Sequence, residues 1–135
     1  MQFTLVDPAR LEREWPDIAE TLAPALRQDP SQTLEGLRKR LAAGADWLLE
    51  ITGPGRCLIV LEQAGGVVWT KWLGGRIEGG PKARTAIMRR AVDHIETVAK
   101  AAGCTEHRLC GRDWARILPD YQPLEGHRNG LRKGL

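Results

Sequence analysis

The residues of this chain best suited to chemistry lie in the stretch GGRIEGGPKART, Gly74 to Thr85. Glycines, a proline and the bases Arg76, Lys82 and Arg84 stand directly before a run with helical spacing. Such a stretch suits a phosphate cradle. Amides at the start of a helix have no internal acceptor, the dipole is positive there, and glycine lets an anion approach the backbone closely. It equally suits a flexible turn before a proline-started helix, and the residues alone leave both readings open. Other chemistries find less support. His94, His107 and His127 are far apart and lack metal spacing, and Cys57, Cys104 and Cys110 contain no CxxC, so no metal site and no disulfide framework is expected. Cys110 and His107 would face opposite sides of one strand, out of reach as a nucleophile pair. No Ser/His/Asp arrangement is suggested.

The elements that must position the glycine-rich stretch can be read from periodicity. Residues 2–6 form a short first strand. Asp7 followed by Pro8 is a helix start, and Leu11, Trp15, Ile18, Leu22 and Leu26 give one helical face. Pro16 and Pro24 predict that this helix is kinked or broken. Thr33 caps a second helix with an apolar stripe of Leu34, Leu37 and Leu41, and Gly44 closes it. The period then changes to strands over 46–52, 57–63 and 67–73, joined by hairpin-length turns. The continuous apolar run Leu58 to Leu61 marks a central strand. After the glycines, Ile87, Ala91, Ile95, Val98 and Ala102 stripe the strongest helix, ended by Gly103. A strand over 105–110, a short helix over 112–118 stopped by Pro119, and a last strand complete the chain. The order β-α-α-β-β-β-α-β-α-β predicts an α+β fold: one domain over 1–135 with a mixed, mostly antiparallel sheet and helices on both faces.

Composition narrows the function classes. At 135 residues the chain is long enough for one domain with a real core. A net charge of +3, spread over short clusters, is not the footprint of a dedicated nucleic-acid binder, so no nucleic-acid partner is expected. No apolar run approaches the ~20 residues of a membrane span, and no signal peptide is visible. A cytoplasmic protein with reduced thiols is expected.

The order of elements resembles the GNAT-type N-acetyltransferases. That family holds acetyl-CoA against its fourth strand and following helix, through a loop reading Arg/Gln-x-x-Gly-x-Gly/Ala. Arg76, Ile77, Glu78, Gly79, Gly80 and Pro81 follow most of this pattern. Pro81 departs from it and supplies no amide, and Glu78 sets a negative charge where phosphates would lie, offset by Lys82 and Arg84. The resemblance implies that Leu73, Arg76, Gly79, Gly80, Lys82 and Arg84 bind the cofactor. It also implies that amides of strand 67–73 polarise the thioester for attack by an amine substrate. Glu62, with Glu50 behind it, is the best carboxylate for the general base. Tyr121 is the candidate general acid, although the family's tyrosine falls nearer Leu118 or Pro119. No metal is implied.

The segment CGRDWARILPDY, Cys110 to Tyr121, is most similar to the small GNAT-like proteins of tailed phages and prophages. In many of those the catalytic motifs are eroded. The alternative expectation is therefore a non-catalytic protein-binding or virion-assembly factor, with a phage or host protein as partner, located in the host cytoplasm or with the virion. Trp69 and Trp72 should face opposite sides of their strand, one into the core and the other free to cover a pantetheine chain or a partner protein. Trp114 is read as a core anchor between exposed Arg112 and Arg116.

Overall fold

Asp7 accepts a hydrogen bond from the Arg10 amide at 2.8 Å and Thr33 accepts one from the Gly36 amide at 3.0 Å, so the first two helices start on the capping residues the sequence indicates. The structure is a computed structural model describing residues 1–135. Its elements are β1 (Gln2–Leu5), α1 (Pro8–Leu26), α2 (Leu34–Ala42), β2 (Asp46–Gly53), β3 (Gly55–Ala64), β4 (Val67–Ile77), α3 (Pro81–Ala101), β5 (Glu106–Leu109), β6 (Gln122–Pro123) and β7 (Leu131–Gly134). The strands form a seven-stranded sheet in the order β1-β2-β3-β4-β5-β7-β6. The β4–β5 pair is parallel, while β1–β2, β2–β3, β5–β7 and β6–β7 are antiparallel. This is the expected α+β class with a mixed, mostly antiparallel sheet.

The chain divides into two compact units: Met1–Glu62 with Trp72–Glu78, and Gln63–Lys71 with Gly79–Leu135. In the first unit, Leu11, Ile18, Leu22 and Leu26 of α1 and Leu37 and Leu41 of α2 close over Leu48, Leu58 and Val60 of the strands. Each such side chain stabilises the fold by about 1.5–3 kcal/mol on burial. That docking overturns one part of the expectation, a break at the prolines. Helix α1 runs unbroken for 19 residues through Pro16 and Pro24, because its buried face outweighs the amide bonds the prolines remove.

A second departure concerns the glycines. Strand β4 continues to Ile77, so Gly74 and Gly75 are strand, not turn. Gly74 lies directly under α1. A Cβ there would stand 2.4 Å from the Thr21 carbonyl oxygen, so only glycine allows the two backbones to meet.

In the second unit, β5 pairs with Val67–Thr70 of β4 on one side and with β7 on the other, and β7 pairs with β6. One face of these strands carries Val68, Thr70, His107, Leu109 and Leu131, all buried. Helix α3 buries Ile87, Ala91, Val92, Ile95, Glu96 and Ala99, and Lys133 of β7 bonds Glu96 at 2.7 Å. The short helix expected over 112–118 is absent. Turns replace it, with Ile117 and Leu118 both donating to the Trp114 carbonyl at 3.0 Å. Trp114 and Leu118 are buried anchors that hold this path, and Pro119 blocks helix propagation. The two-residue strand β6 is too short to leave a period in the sequence.

Candidate functional site

The loop between β4 and α3 is only Glu78, Gly79 and Gly80. Its backbone groups can be counted. The Glu78 amide donates to the Pro54 carbonyl at 2.9 Å and is engaged. Gly79, at φ 113, turns the chain in a conformation that side chains resist. Gly80 is the N-cap of α3, with no side chain to cap the amides beyond it, and Pro81 at the first helical position has no N–H to offer. The first bond back into the helix runs from the Arg84 amide to the Gly80 carbonyl at 3.0 Å. The amides of Gly79, Gly80, Lys82 and Ala83 are thus left without acceptors at the positive end of a 21-residue helix. Every residue from Glu78 to Ala86 is exposed, so these donors face solvent.

The residues expected to bind a cofactor distribute along this turn. Leu73 is half-buried in β4, Arg76 is exposed near its end, Gly79 and Gly80 form the loop, and Lys82 and Arg84 are exposed in the first turn of α3. Beyond Thr70, strand β4 runs on without β5, whose pairing ends at Leu109. The amides expected to polarise a thioester therefore belong to a strand that is parallel-paired only over its first residues.

The carboxylates differ sharply. Glu62, half-buried near the end of β3, is opposite Asp46 in the register and makes no hydrogen bond or ion pair. Glu50 is buried and fully engaged, with Arg10 at 2.7 Å and Arg56 at 2.9 Å. Arg10 also pairs with Glu14 at 2.6 Å, and Arg56 with Asp17. Two guanidiniums hold the Glu50 oxygens, so Glu50 serves as a structural tie between α1 and the strands. Only Glu62 keeps an unshared carboxylate of the two named from the sequence.

Tyr121 sits in a buried polar chain that the sequence did not reveal. Its hydroxyl lies 2.6 Å from Nδ1 of His107, whose Nε2 lies 2.8 Å from Oγ1 of Thr70. His107 is fully buried, and burial, with the Lys133 charge behind it, pushes its pKa down to about 4. The imidazole is therefore neutral, with one donor and one acceptor nitrogen for two hydroxyls that can take either role. Burial, then the Glu96 carboxylate, holds the Tyr121 phenol well above its ordinary value. Around it Lys133 bridges Glu96 and Asp120, and Arg89 bonds Asp120 at 2.8 Å. Those two cations, Arg89 first, hold Asp120 well below the usual carboxylate range. Alternation does place His107 on the same face as Leu109, but nothing in sequence spacing brings residue 121 to it.

The two tryptophans of β4 separate as expected. Trp72 packs on the first unit's core, while Trp69 is half-buried with Lys71 and Arg108 over its ring and His127 beside it. No group of side chains is arranged to hold a metal ion. No helix is long and apolar enough to cross a membrane. A hollow of about 140 Å³ lies far along the chain from the loop, among Leu5, Val6, Leu11, Leu41 and Trp47. Its one charged lining residue, Asp46, is paired with Arg40, so it offers no chemistry.

No protein-family profile matches the chain, and no curated protein matches it in sequence. Solved structures do match. The aminoglycoside 6'-acetyltransferase type Ii superposes with a TM-score of 0.63 at 13% identity, covering 99% of this chain and 97% of that one. GCN5 from Tetrahymena gives 0.58 at 12% identity over 99% and 96%. The PaiA N-acetyltransferase from Thermoplasma acidophilum, solved in complex with coenzyme A, gives 0.57 at 13% over the whole of both chains. Identity at this level speaks for architecture alone, and the architecture is that of the GNAT acetyltransferases.

Proposed function

We propose that the chain is an N-acetyltransferase that takes acetyl-CoA as donor and an amine as acceptor. The observation that carries this reading is the set of unpaired, solvent-facing amides at Gly79, Gly80, Lys82 and Ala83, at the start of α3 in this fold. These donors suit a pyrophosphate, and Arg76, Lys82 and Arg84 supply positive charge for it. Glu62 accepts a proton from the attacking amine, directly or through one water, and Tyr121 returns one to the departing thiolate. The raised pKa of Tyr121 keeps its phenol protonated until that moment. Acetyl transfer breaks the thioester C–S bond and forms an amide C–N bond, with no oxidant or metal required.

Specific features favour a second reading, a phage-type protein that uses the fold without chemistry, for protein binding or virion assembly. Pro81 removes one loop amide, Pro54 occupies that of Glu78, and Tyr121 is buried. The segment from Cys110 to Tyr121, which resembles phage-encoded proteins, is held by buried Trp114 and Leu118.

Calorimetry with acetyl-CoA and with free CoA separates the two. Dissociation constants in the micromolar range, about −8 kcal/mol, support the enzyme. No heat at millimolar ligand removes it and leaves the scaffold. Thiol release with a panel of amines then tests the chemistry, and Glu62→Gln should lower kcat by about a hundredfold while leaving CoA binding unchanged.

A further inference from the structure

The second unit closes one face of its strands with α3 and leaves the other open. Register defines what that open face carries. Trp69 on β4 is opposite Arg108 on β5, Arg108 is opposite Arg132 on β7, and Arg132 is opposite Gln122 on β6. Paired residues point to the same side, so these four form one row across four strands, ~4.8 Å per step. Lys71, two residues beyond Trp69, joins the same face, and its ammonium lies 5.3 Å from the Trp69 ring centre. Arg108 stands 5.6 Å from that centre and the His127 ring 5.0 Å from it. Lys71, Gln122, His127 and Arg132 are exposed, and Trp69 and Arg108 are half-buried.

The charge on this face is unbalanced. Glu106, buried beneath the row, bonds both Arg108 and Arg132. Lys71 has no carboxylate partner and touches only the tryptophan. Lys71, Arg108 and Arg132 are three permanent cations grouped at a large aromatic ring, and Glu106 bonds two of them. Glu106 also fixes both guanidiniums in place, so a ligand that binds them costs little further side-chain freedom. Tryptophan and arginine together are the residues that dominate protein interfaces.

We propose that this open face of β4, β5, β7 and β6 docks an acidic segment of a partner protein, whose carboxylates accept from Lys71, Arg108 and Arg132 while its backbone lies against Trp69. Charge complementarity selects the partner. A single-stranded nucleic acid fits less well, because cations already lie over the Trp69 ring that a base would have to stack on, and His127 meets that ring at a tilt of 59°. The proposal stands apart from acetyl transfer and holds whether or not the chain binds CoA.

The test is fluorescence anisotropy on the full chain, with a fluorescein-labelled peptide of alternating Glu and Ser and, separately, labelled poly-uridylate of equal charge, both at about 150 mM salt. The peptide is expected to bind, with Lys71→Glu weakening it about tenfold or more and Arg13→Glu, an equal charge change on an exposed turn of α1, changing it less than about twofold. Circular dichroism checks that Lys71→Glu folds. If it does not, Lys71→Gln replaces it, with about a threefold loss expected. Absence of peptide binding, equal weakening by Arg13→Glu, or tighter binding of poly-uridylate than of the peptide each overturns the proposal.

Discussion

Lowering the pH should destabilise this protein through one residue, His107. The imidazole is fully buried between Thr70 and Tyr121 and has a folded pKa of about 4, against 6.5 when unfolded. Between those values the unfolded chain binds a proton that the folded chain does not. The stability His107 contributes is therefore complete above pH 6.5 and is lost as the pH falls toward 4. Linkage between these two values gives a loss of about 2 kcal/mol between pH 7.5 and pH 5, and about 3 kcal/mol in total. For a chain of this size that is a fall in Tm of about 8 °C at pH 5. Asp120 and Glu106 do not confuse the measurement. Their folded pKa values are lowered, so their contributions are lost only below about pH 4.5. Thermal melts of the wild type and His107→Gln at pH 7.5, 6 and 5 make the comparison. Glutamine keeps a donor and an acceptor, so His107→Gln should be about 1–3 kcal/mol less stable at pH 7.5, with a nearly flat profile down to pH 5. Equal acid slopes in the two proteins would refute the assignment of that transition to His107.

Gly80→Asp should separate stability from cofactor binding. Its Cβ would meet nothing within 4 Å and its φ of −77° suits an L-residue, so the carboxylate can cap α3, raising stability by a few tenths of a kcal/mol while CoA affinity in calorimetry falls about tenfold or more. Gly74→Ala should destabilise by about 1–3 kcal/mol in urea melts, because the new Cβ collides with the Thr21 carbonyl; a neutral result would mean that α1 and β4 are not in contact. Glu50→Gln should cost about 2–3 kcal/mol by leaving Arg10 and Arg56 short of their shared carboxylate, whereas Glu62→Gln should leave the melt unchanged; the reverse order would exchange the structural and chemical roles given to them. Removing the Pro81 ring with Pro81→Ala restores one amide to the loop, and a gain in CoA affinity by calorimetry is the expected outcome.

Features that are local in the chain are legible before any folding is known. Asp7 and Thr33 mark helix starts because a cap is satisfied within three residues, and the strand and helix periods are read over one or two turns. Those local signals, in order, were enough for the α+β class, and that order carries the resemblance to the acetyltransferase architecture. The structure departs from local preference where a distant partner overrides it. Pro16 and Pro24 read as a kink or a break, but α1 continues through both as one helix on the core it covers. Gly74 and Gly75 read as a turn, but Gly74 is a strand residue whose lack of a side chain admits α1. Residues 112–118 carry helix-like spacing, but Trp114 and Leu118 are anchored as turns. The candidate site divides in the same way. The glycines, Pro81 and the basic residues of the α3 start are contiguous, so the sequence could name them. That the Glu78 amide is tied to Pro54, that Glu50 is locked between two arginines, and that Tyr121 meets His107 depend on residues brought together from 6 to 40 positions apart. Helix docking, loop paths and strand pairing set those meetings together, and all three belong to the folded chain rather than to any one segment.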